Sequence, residues 1–450
     1  MDPETNFDNP AKALLDARNY VALRQALRDM NEVDAAQFLQ ELAPEQATVV
    51  FRLLPKEAAA EVFSNLDPDV QEVIITAMTD NELKAVVEDL SVDDAVDMLE
   101  EMPAGVVKRV LKNATPDTRK LINQFLNYPD NSAGSIMTAE FTDLRKDMTV
   151  REAIAHIRTV GEDSEQIYTC YVTDASRSLE GVVTVKELLL APDDKTVDQL
   201  MTVGVITAVT TDDREEASRL LMKYDLLSLP VVDRENRLVG IVTADDVMDV
   251  MEEEATEDFE KMAAMTPSEK PYLKTGVFDL ARHRILWLLL LMFSAMITGG
   301  ILGRYEAAFS AMPLLVTFIP MLTDTGGNAG SQSSTMVIRG MAIGEIGPGD
   351  FFRVLWKEVR VSLVVGVALS AANFARLMIQ YPGQIQMALA VSLAMLTTVI
   401  MSKAIGGMLP MIAKALHMDP AIMAAPLITT IVDAVSLIIY FSLAQALLGL

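Results

Sequence analysis

The residue whose chemistry stands out is an aspartate where carboxylates are rare. Asp433 lies in Pro426-Leu-Ile-Thr-Thr-Ile-Val-Asp-Ala-Val-Ser-Leu-Ile-Ile-Tyr440, inside an apolar run from Ala421 almost to Leu450. A membrane-spanning helix needs ~20 apolar residues, so the run is long enough. A carboxylate at the bilayer centre costs roughly 2.5–3.5 kcal/mol on insertion scales, so it faces a bundle interior or a water-filled path, where it suits a cation. The plainer alternative is a structural ion pair with a neighbouring helix. Lys403 is the candidate partner, although it reads as lying near a helix end.

A second stretch belongs with Asp433. Pro320-Met-Leu-Thr-Asp-Thr-Gly-Gly-Asn-Ala-Gly-Ser-Gln-Ser-Ser-Thr335 continues a hydrophobic run, yet is polar and glycine-rich. Irregular backbone at membrane depth is tolerated only inside protein or along a water-filled cavity, and this stretch is expected to supply it. Asn328, Gln332 and the hydroxyls offer oxygens, and the glycines let backbone approach closely. A small-residue seam between helices is the alternative.

These residues need a membrane bundle to position them. Five segments read as membrane helices: about 285–303, 313–337, 357–380, 386–411 and 420–448. Arg282 and Arg284 precede the first, Arg339, Arg353, Lys357 and Arg360 separate the second from the third, and Lys414 follows the fourth. The positive-inside rule then places the N-terminal domains in the cytoplasm and the C-terminus outside a plasma (inner) membrane crossed several times. Five helices are few to enclose a polar path, so a homodimer with its path on the two-fold axis is the economical arrangement.

Charge separates this bundle from the rest. From Ile285 onward the chain holds seven acidic and eight basic residues, while residues 1–284 hold the other 56 acidic and 29 basic. Phosphates would be repelled by so acidic a region, which argues against nucleic acid and suits cations. One cysteine, Cys170, excludes an internal disulfide, and His156, His283 and His417 lack zinc-motif spacing. No nucleophile–base motif, phosphate-binding loop or dinucleotide loop points to an enzyme.

Residues 1–130 read as an all-α domain with a twelve-residue repeat: Leu42, Leu54, Leu66, Met78, Leu90, Met102 and Ala114. Each is followed by a helix-start signal at Pro44, Pro55, Pro68, Thr79-Asp80, Ser91, Pro103 or Thr115-Pro116. One short helix plus a turn buries no core alone, so such units stack into a helical-repeat superhelix of either hand. Asp93 and Asp97 share a helix face, where like charges repel unless a cation lies between them.

Residues 131–250 alternate β-rich runs with amphipathic helices and repeat internally. Tyr171-Val-Thr-Asp-Ala-Ser-Arg-Ser-Leu-Glu-Gly-Val-Val-Thr184 echoes Pro230-Val-Val-Asp-Arg-Glu-Asn-Arg-Leu-Val-Gly-Ile-Val-Thr243, and Met137-Thr138 and Met201-Thr202 open the two units. The pattern resembles an α/β tandem pair of CBS domains, here 131–200 and 201–250. That resemblance implies a regulatory module, often with ATP or another adenine nucleotide in its cleft. Thr243, Asp245 and Asp246 stand where the ribose-contacting groups usually stand, or they form a helix cap. An acidic helix from Asp245 to about Ala264 and a linker fill 251–280 before the membrane domain, 281–450.

In order, the helical repeats, Asn131-Ser-Ala-Gly-Ser-Ile-Met137, the CBS units, Ala255-Thr-Glu-Asp258, Gly326-Gly-Asn-Ala-Gly-Ser-Gln-Ser-Ser334 and Thr429-Thr-Ile-Val-Asp433 look like the MgtE family of magnesium channels/transporters. The resemblance implies a homodimeric Mg2+ channel that cytosolic Mg2+ closes. It implies that Asp433 is the pore carboxylate and Asp419 an acid near the cytoplasmic mouth, while Asn328 and Gln332 are read from their own chemistry as pore residues. It also implies Mg2+ sites at Glu61, Asp93, Asp97, Asp225, Asp246, Asp249, Glu254 and Glu257, between the helical domain, the CBS pair and the connecting "plug" helix. Ala424-Ala425 and Ser436 depart from the family pattern. The rivals are a carrier of Co2+ or Mn2+, and a membrane-anchored CBS sensor that transports nothing.

Overall fold

In the computed structural model the chain forms two compact units, Met1–Met251 and Glu252–Leu450. The structure describes residues 10–449, apart from 162–163, 269–271, 274, 307–309 and 311. The first nine residues of the expected 1–130 domain thus lie outside the described part.

The helical repeat forms as its turn signals require. Helices α1 (Pro10–Asp16), α2 (Tyr20–Arg28) and α3 (Glu32–Gln40) precede α4 (Pro44–Phe51), α5 (Lys56–Ser64), α6 (Pro68–Ala77), α7 (Asp80–Asp89), α8 (Val92–Glu100), α9 (Ala104–Asn113) and α10 (Pro116–Phe125). Proline or a hydroxyl residue opens each of the last seven. At α7 the Glu82 amide donates to Thr79 Oγ1 at 3.3 Å, while the Thr79 amide donates back to the Glu82 carboxylate at 2.7 Å. Alternate helices pack on each other: α3 on α5, α4 on α6, α5 on α7, α7 on α9 and α8 on α10. The repeat residues Leu54, Leu66, Met78, Leu90, Met102 and Ala114 are buried in the core that this stacking encloses.

Each CBS unit carries a three-stranded sheet of the same order. In the first, β1 (Phe141–Arg145) runs parallel to β2 (Gln166–Thr173), which pairs antiparallel with β3 (Leu179–Thr184). In the second, β4 (Ala208–Val209), β5 (Ser228–Val232) and β6 (Leu238–Thr243) repeat the arrangement. Helices α11 (Val150–Val160) and α12 (Val185–Leu190) flank the first sheet, and α13 (Arg214–Lys223) the second. The Met-Thr openers cross over. Thr138 bridges Ile241 of the second sheet, and Thr202 bridges Val182 of the first. The repeated glycines explain how: a Cβ on Gly240 would lie 2.6 Å from the Thr138 carbonyl oxygen, and one on Gly181 2.9 Å from that of Thr202. The two CBS units therefore interlock. Helix α14 (Ala244–Met262) follows and carries the border between the two compact units.

The second unit contains α15 (Val277–Arg304), α16 (Ile319–Ala342), α17 (Phe351–Gln380), α18 (Ile385–Ala415) and α19 (Ala425–Leu448). Among the described residues, four stretches containing α15, α17, α18 and α19 are long and apolar enough to cross a membrane. Helix α16 is 24 residues long but too polar to join them by composition. It packs on α18 and α19, with α17 against α18 and α15 against α19. The backbone of 320–335 is regular helix, contrary to the expectation of irregular structure. Glycines serve close packing here instead. A Cβ on Gly326 would meet Thr398 and Val432 at 2.8 and 2.9 Å, and one on Gly406 would lie 2.1 Å from the Gly330 carbonyl oxygen. The small-residue seam is the arrangement present.

Candidate functional sites

In the membrane unit, α16 and α19 meet where their small residues allow it. Gly327 faces Thr429, and Gly326 faces Val432 and Ser436. This contact sets Asp433 of α19, half-buried, within Coulomb reach of Asp324 of α16. Asp324, Asn328 and Gln332 follow at four-residue steps and are all exposed, so one polar stripe runs along a helix among apolar neighbours. Among the described residues Asp433 has no ion-pair partner. The expected rival partner, Lys403, lies mid-helix in α18 instead of near a helix end, and donates to Ser333 Oγ at 3.3 Å and Gln332 Oε1 at 3.5 Å. Asp324 went unassigned in the sequence, though its spacing to Asn328 and Gln332 marks it.

The residues that depart from the family pattern have local roles. Ser436 is buried and donates its hydroxyl to Val432 O at 2.6 Å, so that group is committed to its own helix. Ala424 is buried at the start of α19, one residue after Met423, whose carbonyl accepts the Ser334 hydroxyl at 2.8 Å.

Asp419 caps the 3-10 turn before α19, accepting the Ala421 amide at 2.8 Å on Oδ1. Its Oδ2 takes Lys261 Nζ of α14 at 2.6 Å, and the same ammonium meets Glu257 Oε1 at 2.5 Å. Burial works to lower the Lys261 pKa, but Asp419 and Glu257 together hold it above the ordinary value. A cation, here an ammonium, thus bridges Glu257, an expected metal-binding acid, and Asp419, the expected acid of the mouth.

The soluble unit gathers a larger acid cluster. Burial first, then Asp93, Glu100, Asp94 and Asp246, push Asp97 up to about 8. Its side chain still reaches water, so a cation from solution can meet it. Burial and neighbouring acids raise Asp94 and Asp246 to about 6 each, against their hydroxyl partners Ser91 and Thr243. Glu165, just before β2, is raised to about 7 by burial, Asp93, Asp245, Asp246 and Glu140. Glu61 is exposed and acts on Asp94 through its charge.

The predicted acids therefore divide. Asp93, Asp97, Asp246 and Glu61 share the soluble cluster, and Glu257 and Asp419 share Lys261. Asp225 stands in a left-handed turn after α13, and no described side-chain contact ties it to the cluster. Asp249 is exposed on α14 and Glu254 half-buried there. Thr243 donates its hydroxyl to Asp246, so this pair forms the helix cap, with Asp245 exposed beside it. Glu165 is not legible in the sequence, because it reaches Asp93 only through the tertiary fold.

The cluster suits a hard cation on one observation. Asp93 Oδ1 is buried and makes no hydrogen bond, an acceptor left over amid like charges. Among the described residues no three acidic, histidine or cysteine side chains converge into a ready-made metal site. Mg2+ keeps several waters and binds through one or two carboxylates, which this arrangement allows.

The comparisons with known proteins agree with this architecture. Family models match for a divalent cation transporter at residues 319–443, the MgtE intracellular N domain at 30–131 and a CBS domain at 197–253. The magnesium transporter MgtE of Thermus thermophilus is 36% identical over 95% of this chain and 95% of its own. That of Bacillus subtilis is 32% identical over 93% and 95%. Among solved structures, the cytosolic domain of an Mg2+ channel MgtE in complex with ATP is 37% identical, with a TM-score of 0.51 over 53% of this chain and 99% of that one. The chain belongs to the MgtE family.

Proposed function

We propose that this chain is a multi-pass Mg2+ channel of the plasma membrane, acting as a homodimer with its path along Asp433. The observation that carries the reading is the Asp433 carboxylate, half-buried in the middle of the apolar span Pro420–Leu448 and with no ion-pair partner among the described residues, beside the polar stripe of Asp324 and Asn328. Such a stripe cannot face lipid, and a second copy placed against it encloses a wet path. Paired Asp433 side chains would hold a hydrated Mg2+ through its waters, which favours passage over trapping. The positive loops support a cytoplasmic soluble unit and a C-terminus outside.

The same reading makes the channel self-limiting. Cytosolic Mg2+ binding to Asp93, Asp97, Asp246 and their neighbours, and to acids of the plug helix such as Glu254, closes the channel. Several weak sites acting together can supply the ~5.5 kcal/mol that moves a 1:99 equilibrium to 99:1. The ATP bound by a relative's cytosolic domain supports an adenine nucleotide in the CBS cleft as a modulator. Binding there would have to work around the Thr243–Asp246 cap. The test is Mg2+ entry into liposomes holding the purified chain and an internal indicator. Entry with the wild type, and none with Asp433→Ala, is expected. A wild type that admits no Mg2+ overturns the proposal.

A further inference from the structure

Two charged residues of the membrane unit have no part in the path described so far. Lys403 lies in the middle of α18 and is 5% exposed. Glu358 lies half-buried on α17. They do not form a direct ion pair. Ser333 of α16 stands between them, accepting from Lys403 Nζ at 3.3 Å and donating its hydroxyl to Glu358 Oε2 at 2.5 Å. A hydroxyl can both accept and donate, so it links an ammonium to a carboxylate without reorganisation. The backbones make room: a Cβ on Gly407 would lie 3.1 Å from Glu358 Cγ, and Gly406 and Gly330 already touch. Three helices thus converge on one polar node.

The node reaches the stripe through Gln332. An ammonium has no acceptor, so the Gln332 amide must turn its oxygen toward Lys403, at 3.5 Å. That oxygen is then not offered to a passing cation. Gln332 is the third member of the stripe that begins at Asp324, so the node's charges stand directly behind the polar face. Charges buried at membrane depth are retained when they compensate each other, and removing one partner leaves the other unbalanced.

We propose that Lys403 and Glu358 are positioning residues for conduction: a charge-balanced pair, relayed by Ser333, whose cancellation sets the field a divalent cation meets on the path. This rests on the reading of α16 and α19 as the path. It makes a demand that a packing role does not. Removing the positive member leaves an extra negative charge behind the path and tightens cation binding. Removing the negative member does the reverse. Removing both restores neutrality.

The experiment is Mg2+ flux against Mg2+ concentration in liposomes of full-length wild type, Lys403→Met, Glu358→Gln and the double variant. Lys403→Met is expected to lower KM and Glu358→Gln to raise it. Each shift should be about fourfold or more, the scale for a unit charge acting on a divalent ion across about 10 Å of water. The double variant should return KM to within about twofold of wild type. Singles that lower the maximal rate without opposite KM shifts would overturn the proposal in favour of packing alone. Should a single variant fail to reach the membrane, the double carries the test: a KM displaced beyond that margin overturns it, and one within it supports it. Failure of the path reading is distinct, because Asp433→Ala would then still conduct.

Discussion

The soluble and membrane units hold carboxylates under opposite rules. In the soluble cluster Asp93, Asp94, Asp97, Asp246 and Glu165 crowd together, and burial with mutual repulsion raises several of them toward neutrality. Water is at hand, so protons or dissolved cations can settle the imbalance. In the membrane unit Glu358 is balanced within the protein, through Ser333, by Lys403. Asp433 and Asp324 lie close together with no such partner among the described residues. On the reading proposed above, balanced charge there builds the frame, and unbalanced charge marks the path of the ion. Asp419 falls between the two, its partner a tethered ammonium.

The largest effect that would break this comparison is on gating. Neutralising Asp93, Asp97, Asp246 and Glu254 together should leave flux open at millimolar cytosolic Mg2+, where the wild type is expected to close. Closure with unchanged Mg2+ dependence would reduce the soluble cluster to a solvated surface. Next in size, Asp324→Asn should lower flux about tenfold, the change that ~1.4 kcal/mol produces, while leaving closure by Mg2+ intact. Normal flux would restrict the path charge to Asp433.

A smaller effect concerns pH. Acids raised in the folded state to between about 6 and about 8 bind protons more tightly there than in the unfolded chain. Their contribution is full at low pH, and stability then falls as pH rises through those folded-state values. In chelator, the melting temperature of the detergent-purified chain should therefore drop between about pH 5 and pH 8. Millimolar Mg2+ should flatten that drop, and a slope that Mg2+ leaves untouched would separate the cluster from metal binding. Smallest is Lys261→Met. Freeing Glu257 and Asp419 from a half-exposed ammonium should let Mg2+ close the channel at about two- to threefold lower concentration, read from flux against internal Mg2+. An upward shift would mean that Lys261 itself helps closure.

Local signals made much of this legible. Proline and hydroxyl caps placed the starts of α4 to α10, because such caps act within four residues. Gly181 and Gly240 marked the CBS repeat, though the swapped pairing of Thr138 and Thr202 needed the fold. The glycines of 326–330 misled. Glycine in sequence does not say whether backbone bends or packs, and here Gly330 packs against Gly406 within regular helix. The Lys261–Asp419 pair, Glu165 and the Lys403–Ser333–Glu358 node are not legible in the sequence for one reason: their partners lie between 25 and 158 residues away, or act only through space.

The central claim is that an unbalanced carboxylate at Asp433 carries the ion. Asp433→Asn tests it most directly, since it keeps the shape and removes only the charge. Equal amounts of wild type and Asp433→Asn, each shown to be folded, would be reconstituted and Mg2+ entry followed with an internal indicator. The account predicts entry with the wild type and none above protein-free liposomes with Asp433→Asn. Entry at the wild-type rate would contradict it.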